Sequence, residues 1–174
     1  METIVIMLVC VALIVFGVMT MAQGYMVSTD TAALSMEEIT VTKGEMLRTG
    51  ISIIDARRTG ADTAEITVEN TGQIKLASFD KWDLIIGYHD AANDPYNTWL
   101  QYAAGSPGDN EWCPAGIYLD ASDNTTEAFE PGILNPQEEL KIELKLDPPP
   151  KDGSAVEAVI STPNGIQDDF SLVY

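Results

Sequence analysis

The chain has 174 residues, with 27 acidic and 9 basic side chains and a formal net charge of −18. Phosphate binding requires clustered Lys and Arg, so this charge balance excludes nucleic acid as a partner. The one histidine, His89, excludes histidine-based triads and metal sites with several histidines. The sequence also contains none of the short motifs of nucleotide-binding or serine-hydrolase sites, and we therefore expect no enzymatic activity.

The most prominent feature is an apolar run at the start of the chain. From Ile4 to Ala22 the only polar residue is Thr20, and about 19 helical residues reach ~28 Å, which nearly spans a bilayer core. Secretory signals and membrane anchors normally carry basic flanking residues, whereas the first basic residue here is Lys43. We expect that a short basic leader has been removed and that the run leaves the membrane to enter a protein assembly. A single-pass membrane anchor is the alternative.

We predict one long helix over residues 1–48 and a separate domain over residues 49–174. No proline interrupts the stretch between Tyr25 and Arg48, and Gly50 is a suitable stop. Two glycines seven residues apart can let neighbouring helices approach closely. The predicted polymerisation core comprises Ile4, Ile6, Leu8, Val9, Leu13, Phe16, Gly17 and Gly24.

After Gly50 the pattern changes to short segments with alternating apolar residues, separated by turn residues. Residues 139–146 alternate throughout, which places Leu140 and Ile142 towards a core and Lys141 towards water. The fold class is therefore α+β: a hydrophobic helix followed by an antiparallel, immunoglobulin-like β-sandwich. The strand candidates are 51–57, 64–70, 75–79, 82–88, 99–103, 116–119, 139–146, 155–161 and 170–174.

Two kinds of site are candidates in the loops. Asn124 begins an N-glycosylation sequon, and Thr125 and Thr126 can carry O-linked sugar. Calcium prefers six to eight oxygen ligands, which acidic loops can supply, but no EF-hand spacing is present and solvated acids are the favoured interpretation. Apart from covalent glycans and this calcium alternative we expect no cofactor. The metal candidates are Asp90, Asn93, Asp94, Asp109, Asp120 and Asp123. Cys10 and Cys113 lie far apart in the chain and in different environments, so we predict no disulfide.

The order of these segments resembles archaellins, the archaeal flagellins, and the related sandwich-domain proteins of the archaellum stator. The resemblance covers nearly the whole chain and is carried by short motifs that follow the hydrophobic helix. They are Gly-Ile-Ser-Ile-Ile-Asp at 50–55, Ile-Thr-Val-Glu-Asn-Thr-Gly at 66–72, Asp-Lys-Trp-Asp-Leu-Ile-Ile at 80–86, Pro-Gly-Ile-Leu-Asn-Pro-Gln-Glu-Glu-Leu at 131–140 and Thr-Pro-Asn-Gly at 162–165.

The resemblance implies a homopolymer. In this family a prepilin-type peptidase removes the leader, and the membrane-inserted subunit then passes to an assembly platform and motor. The helices form the core of an extracellular filament that rotates for swimming, and the sandwich domains coat it. Glu2 is an acid near the start, as in type IV pilins, and this similarity also allows a non-rotating adhesive pilin. The same layout is compatible with a membrane-anchored stator-type protein and with a single-pass ligand-binding ectodomain.

Overall fold

Helix α1 comprises Glu2–Arg48 and confirms the predicted N-terminal helix. The structure, a computed structural model, describes the backbone of residues 2–174 and all their side chains except those of 26–35 and 38. Glu2 lies in the first turn of α1 and Arg48 in the last, the arrangement that the helix dipole favours. The chain divides into two units, Met1–Gly44 and Glu45–Tyr174, and the second is called the sheet domain below.

The sheet domain contains nine strands and one short 3-10 helix, Phe79–Lys81. Most strands begin and end within a few residues of the predicted limits. Their bounds are β1 Ser52–Arg58, β2 Thr63–Glu69, β3 Asp83–His89, β4 Pro95–Tyr102, β5 Glu111–Asp120, β6 Thr125–Thr126, β7 Glu139–Lys145, β8 Ala155–Ser161 and β9 Gln167–Val173.

The predicted strand at 75–79 is wrong. Only Leu76 pairs there, in an isolated bridge with Leu134. Ser78 has φ 55°, in the left-handed region that ends extended structure, and the 3-10 helix follows at once. The predicted strand at 116–119 is too short, because β5 is ten residues long. Pro114 and Gly116 are unfavourable in a strand interior, so the sequence pattern did not indicate the full length of β5. The register with β7 shifts between these two residues, as in a β-bulge.

The strands form two antiparallel layers. Layer one has the order β1-β2-β7-β5, with β6 on β5, and layer two has the order β4-β3-β8-β9. One short parallel pairing, β4 with β5, joins the layers, so the predicted wholly antiparallel arrangement is corrected at this point. On the opposite side, the Ile53 N–H of β1 donates to the Asp168 carboxylate of β9 at 2.7 Å. The result is a nearly closed sandwich.

The core follows from the alternation in β2 and β7. Ile66, Leu140 and Ile142 have no exposed surface, as the pattern predicts for residues between two layers. Lys141 was expected to face water, and this expectation is wrong, because its side chain is buried. The loop between β5 and β6 and the Tyr118 side chain of β5 cover it. Nζ donates to Asn124 Oδ1 at 2.8 Å and lies 4.7 Å from the centre of the Tyr118 ring.

Two buried tyrosines differ in how their hydroxyls are satisfied. Tyr88 donates to the Pro148 carbonyl at 2.8 Å, whereas the Tyr174 hydroxyl has no hydrogen-bond partner among the described residues. Burial is the main cause that raises the pKa of each to about 12. The pKa values in the folded chain exceed the unfolded value of 10.0. The stability that depends on the two neutral hydroxyl groups is therefore fully present below pH 10. Their contribution is lost as pH rises from 10 towards 12.

These tyrosines give a matched pair of variants. Tyr88→Phe should destabilise the full-length chain by about 1 kcal/mol, because the Pro148 carbonyl loses its donor. Tyr174→Phe should leave the stability unchanged or raise it, because it removes a buried hydroxyl without a partner in the described chain. Thermal unfolding in detergent micelles, followed by near-ultraviolet circular dichroism, checks both. The double variant should lose less stability between pH 10 and pH 12 than the native chain. Equal losses would contradict the assigned cause of the pKa shifts.

Candidate assembly surface

The first half of α1 is an apolar surface without cover from the chain itself. Glu2–Tyr25, the apolar segment, is 24 residues long and by length and composition can cross a membrane. None of it is buried within the chain, and Leu8 and Phe16 remain 69% and 68% exposed. A helix that is apolar on all sides must be buried elsewhere, in lipid or in protein. The apolar segment is therefore the candidate functional surface.

The predicted polymerisation residues all lie on α1, but they do not share one face. At about 100° per residue, Ile6, Leu13, Gly17 and Gly24 fall on one side. Leu8, with Ile4, falls on the opposite side, while Val9 and Phe16 lie closer to the glycine side. A Cβ atom added at Gly17 or Gly24 would meet no atom of the chain within 4 Å. The glycine side is thus open to a neighbouring helix at these two positions.

Thr20 does not interrupt the apolar character of this surface. Its hydroxyl donates to backbone carbonyls of the preceding turn, those of Phe16 at 3.1 Å and Gly17 at 2.9 Å. The one polar side chain of the run is thus satisfied locally, and it requires neither water nor a partner after burial.

A second candidate feature is the helix joint, which fixes the end of α1 to the sheet domain through residues 48–50, 70–73 and 162–166. The Gln73 N–H donates to the Arg48 carbonyl at 2.7 Å, and the Gly72 N–H donates to the Gly50 carbonyl at 3.1 Å. Carbonyls at a helix end lack partners within the helix, so the loop after β2 supplies one.

Side chains complete the helix joint from the turn between β8 and β9. Asn164 donates its Nδ2 to the Thr49 hydroxyl at 2.6 Å, and Thr49 in turn donates to the Glu45 carbonyl at 2.8 Å. Thr162 and Asn164 bond each other at 2.6 Å, which holds the turn in shape. Three sequence motifs, at 50–55, 66–72 and 162–165, thus contribute residues to one place. No local pattern in these motifs indicated that they would meet.

Gly72 permits the closest approach in the helix joint. An added Cβ would lie 2.5 Å from the Gly50 nitrogen and 2.6 Å from the Arg48 carbonyl oxygen. Backbone atoms cannot yield as the end of a flexible side chain can. A side chain at position 72 would therefore force the loop after β2 away from the helix end and break both of the backbone hydrogen bonds there.

We expect Gly72→Ala to cost about 2 kcal/mol or more, by overpacking and by loss of these bonds. Gly105→Ala is the matched control, since an added Cβ there meets nothing within 4 Å. It should change the stability by less than about 0.5 kcal/mol. Chemical denaturation of the full-length chain in detergent gives both values. Similar results for the two variants would show that the helix joint is not closely packed.

The predicted glycosylation site lies in the turn between β5 and β6. Asn124 is exposed, has φ 53°, and accepts the hydrogen bond from Lys141 through Oδ1. No described residue accepts from its Nδ2, the atom that carries an N-linked sugar. Thr125 and Thr126 are exposed and form β6. Lys141 is a contact that the sequence analysis missed, because its alternation with core residues indicated a solvent position.

The structure distributes the metal candidates over three turns. Asp90, Asn93 and Asp94 lie between β3 and β4, Asp109 precedes β5, Asp120 ends β5 and Asp123 follows it. Several already have partners: Asp109 pairs with Lys145 at 2.6 Å, and Asp120 accepts from Ser122 at 2.6 Å. Within the described part of the chain, no three His, Cys, Asp or Glu side chains form a metal-binding group. Both cysteines are free, Cys10 exposed and Cys113 buried.

Comparisons with known proteins rest on structure. No protein-family model matches the chain, and no curated protein matches it. The periplasmic stator protein FlaG of the Sulfolobus acidocaldarius archaellum is similar, with a TM-score of 0.53 and 18% identity over 71% of this chain and 99% of that one. In the stator complex of FlaF and FlaG from the same organism, the TM-score is 0.50, with 18% identity over 70% of this chain and 87% of the matched chain.

A filament structure is similar over a longer stretch. The archaeal flagellum of Methanospirillum hungatei strain JF1 matches with a TM-score of 0.50 and 14% identity, over 94% of this chain and 90% of that one. The sheet domain alone cannot supply that share, so the match includes much of α1. At these identities the likenesses show a shared fold alone, which for the stator proteins spans a share of the chain close to that of the sheet domain.

Proposed function

We propose that this protein is the structural subunit of an archaellum-like, extracellular motility filament, in which α1 forms the core and the sheet domain the outside. The observation that carries the proposal is the uncovered apolar segment, together with a filament structure that matches both helix and sandwich. The subunit would reside in the membrane before a prepilin-type peptidase and an assembly platform pass it into the homopolymer.

The energetics of the apolar segment suit such a transfer. Burial of a 20-residue apolar helix supplies on the order of tens of kcal/mol in gross terms, at ~25 cal/mol per Å². The gain is similar in lipid and among identical helices. Transfer of the segment from the membrane into a polymer therefore changes the free energy of apolar burial little. A repeated heterologous contact that does not close into a ring yields a helical filament.

A membrane-anchored stator-type protein is the second candidate. It is favoured by the match to FlaG, which covers 99% of that chain and a share of this chain close to that of the sheet domain. In this role the apolar segment would stay in the lipid, and the sheet domain would act on other archaellum proteins. The two candidates therefore differ in whether α1 contacts copies of itself.

We also propose an N-linked glycan at Asn124, because its Nδ2 donates to no acceptor in the described chain and the turn is exposed. Lys141 holds only Oδ1, so the modification would keep that hydrogen bond. Mass spectrometry of the exported protein tests this proposal. An unmodified peptide over residues 120–130 would refute it.

Cryo-electron microscopy of filaments sheared from the cell surface tests the main proposal. The expected map follows this sequence, with the apolar segment at the filament axis and the sheet domain outside. A chain that is found solely in the membrane fraction, while filaments contain another protein, would replace the filament subunit by the stator candidate. Ligand capture by that membrane form would instead indicate a single-pass ectodomain.

A substitution in α1 separates filament packing from membrane anchorage. Gly17→Leu adds bulk on the glycine side but keeps the segment apolar and favours the helix by about 1 kcal/mol. We expect normal membrane insertion and strongly reduced filament yield. Val11→Leu lies on another side of the helix and serves as the control, with filaments retained. Unchanged filament yield in Gly17→Leu would show that the glycine side is not a packing contact.

A further inference from the structure

The outer face of layer two carries an exposed apolar row. Trp99 of β4 pairs with Ile85 of β3, which pairs with Val159 of β8. Trp99 and Ile85 are 53% and 48% exposed. The Trp99 indole nitrogen donates to Asp83 at 2.9 Å, so the ring is already oriented before any partner arrives. A fixed, half-exposed tryptophan is typical of protein contacts, because little conformational entropy is lost when it is covered.

The surroundings of this row have one sign of charge. Val159 pairs with Asp169 of β9, and Glu157 lies on the same face. No outward-facing position of the four strands of layer two is occupied by Lys or Arg. Two copies that met through this face would place like charges together, which disfavours a symmetric contact. The face therefore fits a partner with apolar side chains and a positive charge.

Such a surface exists on α1 of the same protein. Met36, Ile39 and Lys43 follow the i, i+3, i+7 spacing, and so they share one side of the helix. Met36 is 72% exposed, Ile39 is 53% exposed, and Lys43 is exposed. Among the described side chains, no carboxylate forms an ion pair with Lys43. The stripe is thus apolar at one end and positive at the other.

The dimensions of the two surfaces are compatible. The stripe from Met36 to Lys43 rises about 10 Å along the helix, at 1.5 Å per residue, and the long Lys43 side chain can extend it. The row from Trp99 to Asp169 crosses four strands and extends about 14 Å, at ~4.8 Å per strand. Apolar groups precede the charge in both cases. A helix laid along the row can set Met36 and Ile39 on Trp99 and Ile85 while Lys43 reaches Asp169.

We propose that the outer face of layer two binds the Met36, Ile39 and Lys43 stripe of a neighbouring copy, with Lys43 of that copy paired to Asp169. The contact is heterologous, so each subunit offers one surface and accepts the other, and the chain of contacts can extend without limit. This inference rests on the proposed filament function. It adds a contact between sandwich and helix to the contact between helices.

A charge exchange tests the contact in cells that produce the full-length chain. Asp169→Lys and Lys43→Asp should each lower the yield of sheared filaments about tenfold, because each places like charges together. The double variant should recover most of the yield. The single losses should shrink at higher ionic strength, where the charges are screened. Asp80→Lys is the control, since it makes the same charge change at an exposed position outside layer two.

Trp99→Ala provides a second variant, which should weaken the filament without any change of charge. Melting of each purified chain in detergent shows whether the fold is retained. Equal filament yields for Asp169→Lys and Asp80→Lys, or no recovery in the double variant, would overturn this contact while leaving the filament intact. Absence of the native chain from all filaments would instead overturn the proposed function itself.

Discussion

The apolar segment of α1 must be buried outside the chain itself, and this requirement constrains how the protein functions. The apolar segment is not buried within the chain, and from Ile4 to Ala22 its one polar side chain, Thr20, donates to the helix backbone, so nothing in that run requires water. Burial in lipid and burial among identical helices remove the same apolar area from water, so the two give a similar gross gain in free energy. What separates them is packing, and the open glycine side at Gly17 and Gly24 is the feature that lipid would not require.

The last turn of α1 belongs to the sheet domain and is fixed within it. The helix joint does this with backbone groups at Gly50 and Gly72 and with the Asn164 side chain. Backbone contacts of this kind have few alternative geometries, because Gly72 has no room for a Cβ. The sandwich is closed in a comparable way, by the β4–β5 pairing on one side and the Asp168 carboxylate on the other.

Local pattern predicted much of this fold, because alternation and apolar length report directly on burial. The helix, the core positions of β7 and the turn at 162–165 all follow from such patterns. The strand wrongly predicted at 75–79 ends at the left-handed Ser78, whereas two other misses arise from contact between distant segments. Lys141 is buried because a loop 17 residues earlier folds over it. Likewise, β5 persists through Pro114 because β7 pairs along it. No local pattern could place three motifs together at the helix joint.

Charge is the remaining constraint on the proposed assembly. Four of the basic residues, Arg57, Arg58, Lys75 and Lys145, are already in ion pairs within the sheet domain. Lys141 and Lys151 bond asparagine side chains. Few of the 9 basic residues are thus left to pair with the 27 acidic side chains of other copies in the proposed filament. In the proposed contact between copies, Lys43, which pairs with no described carboxylate, supplies the positive charge. In the proposed polymer, repulsion between the remaining acids would fall as salt shortens the Debye length, so assembly would depend on ionic strength as well as on the apolar segment.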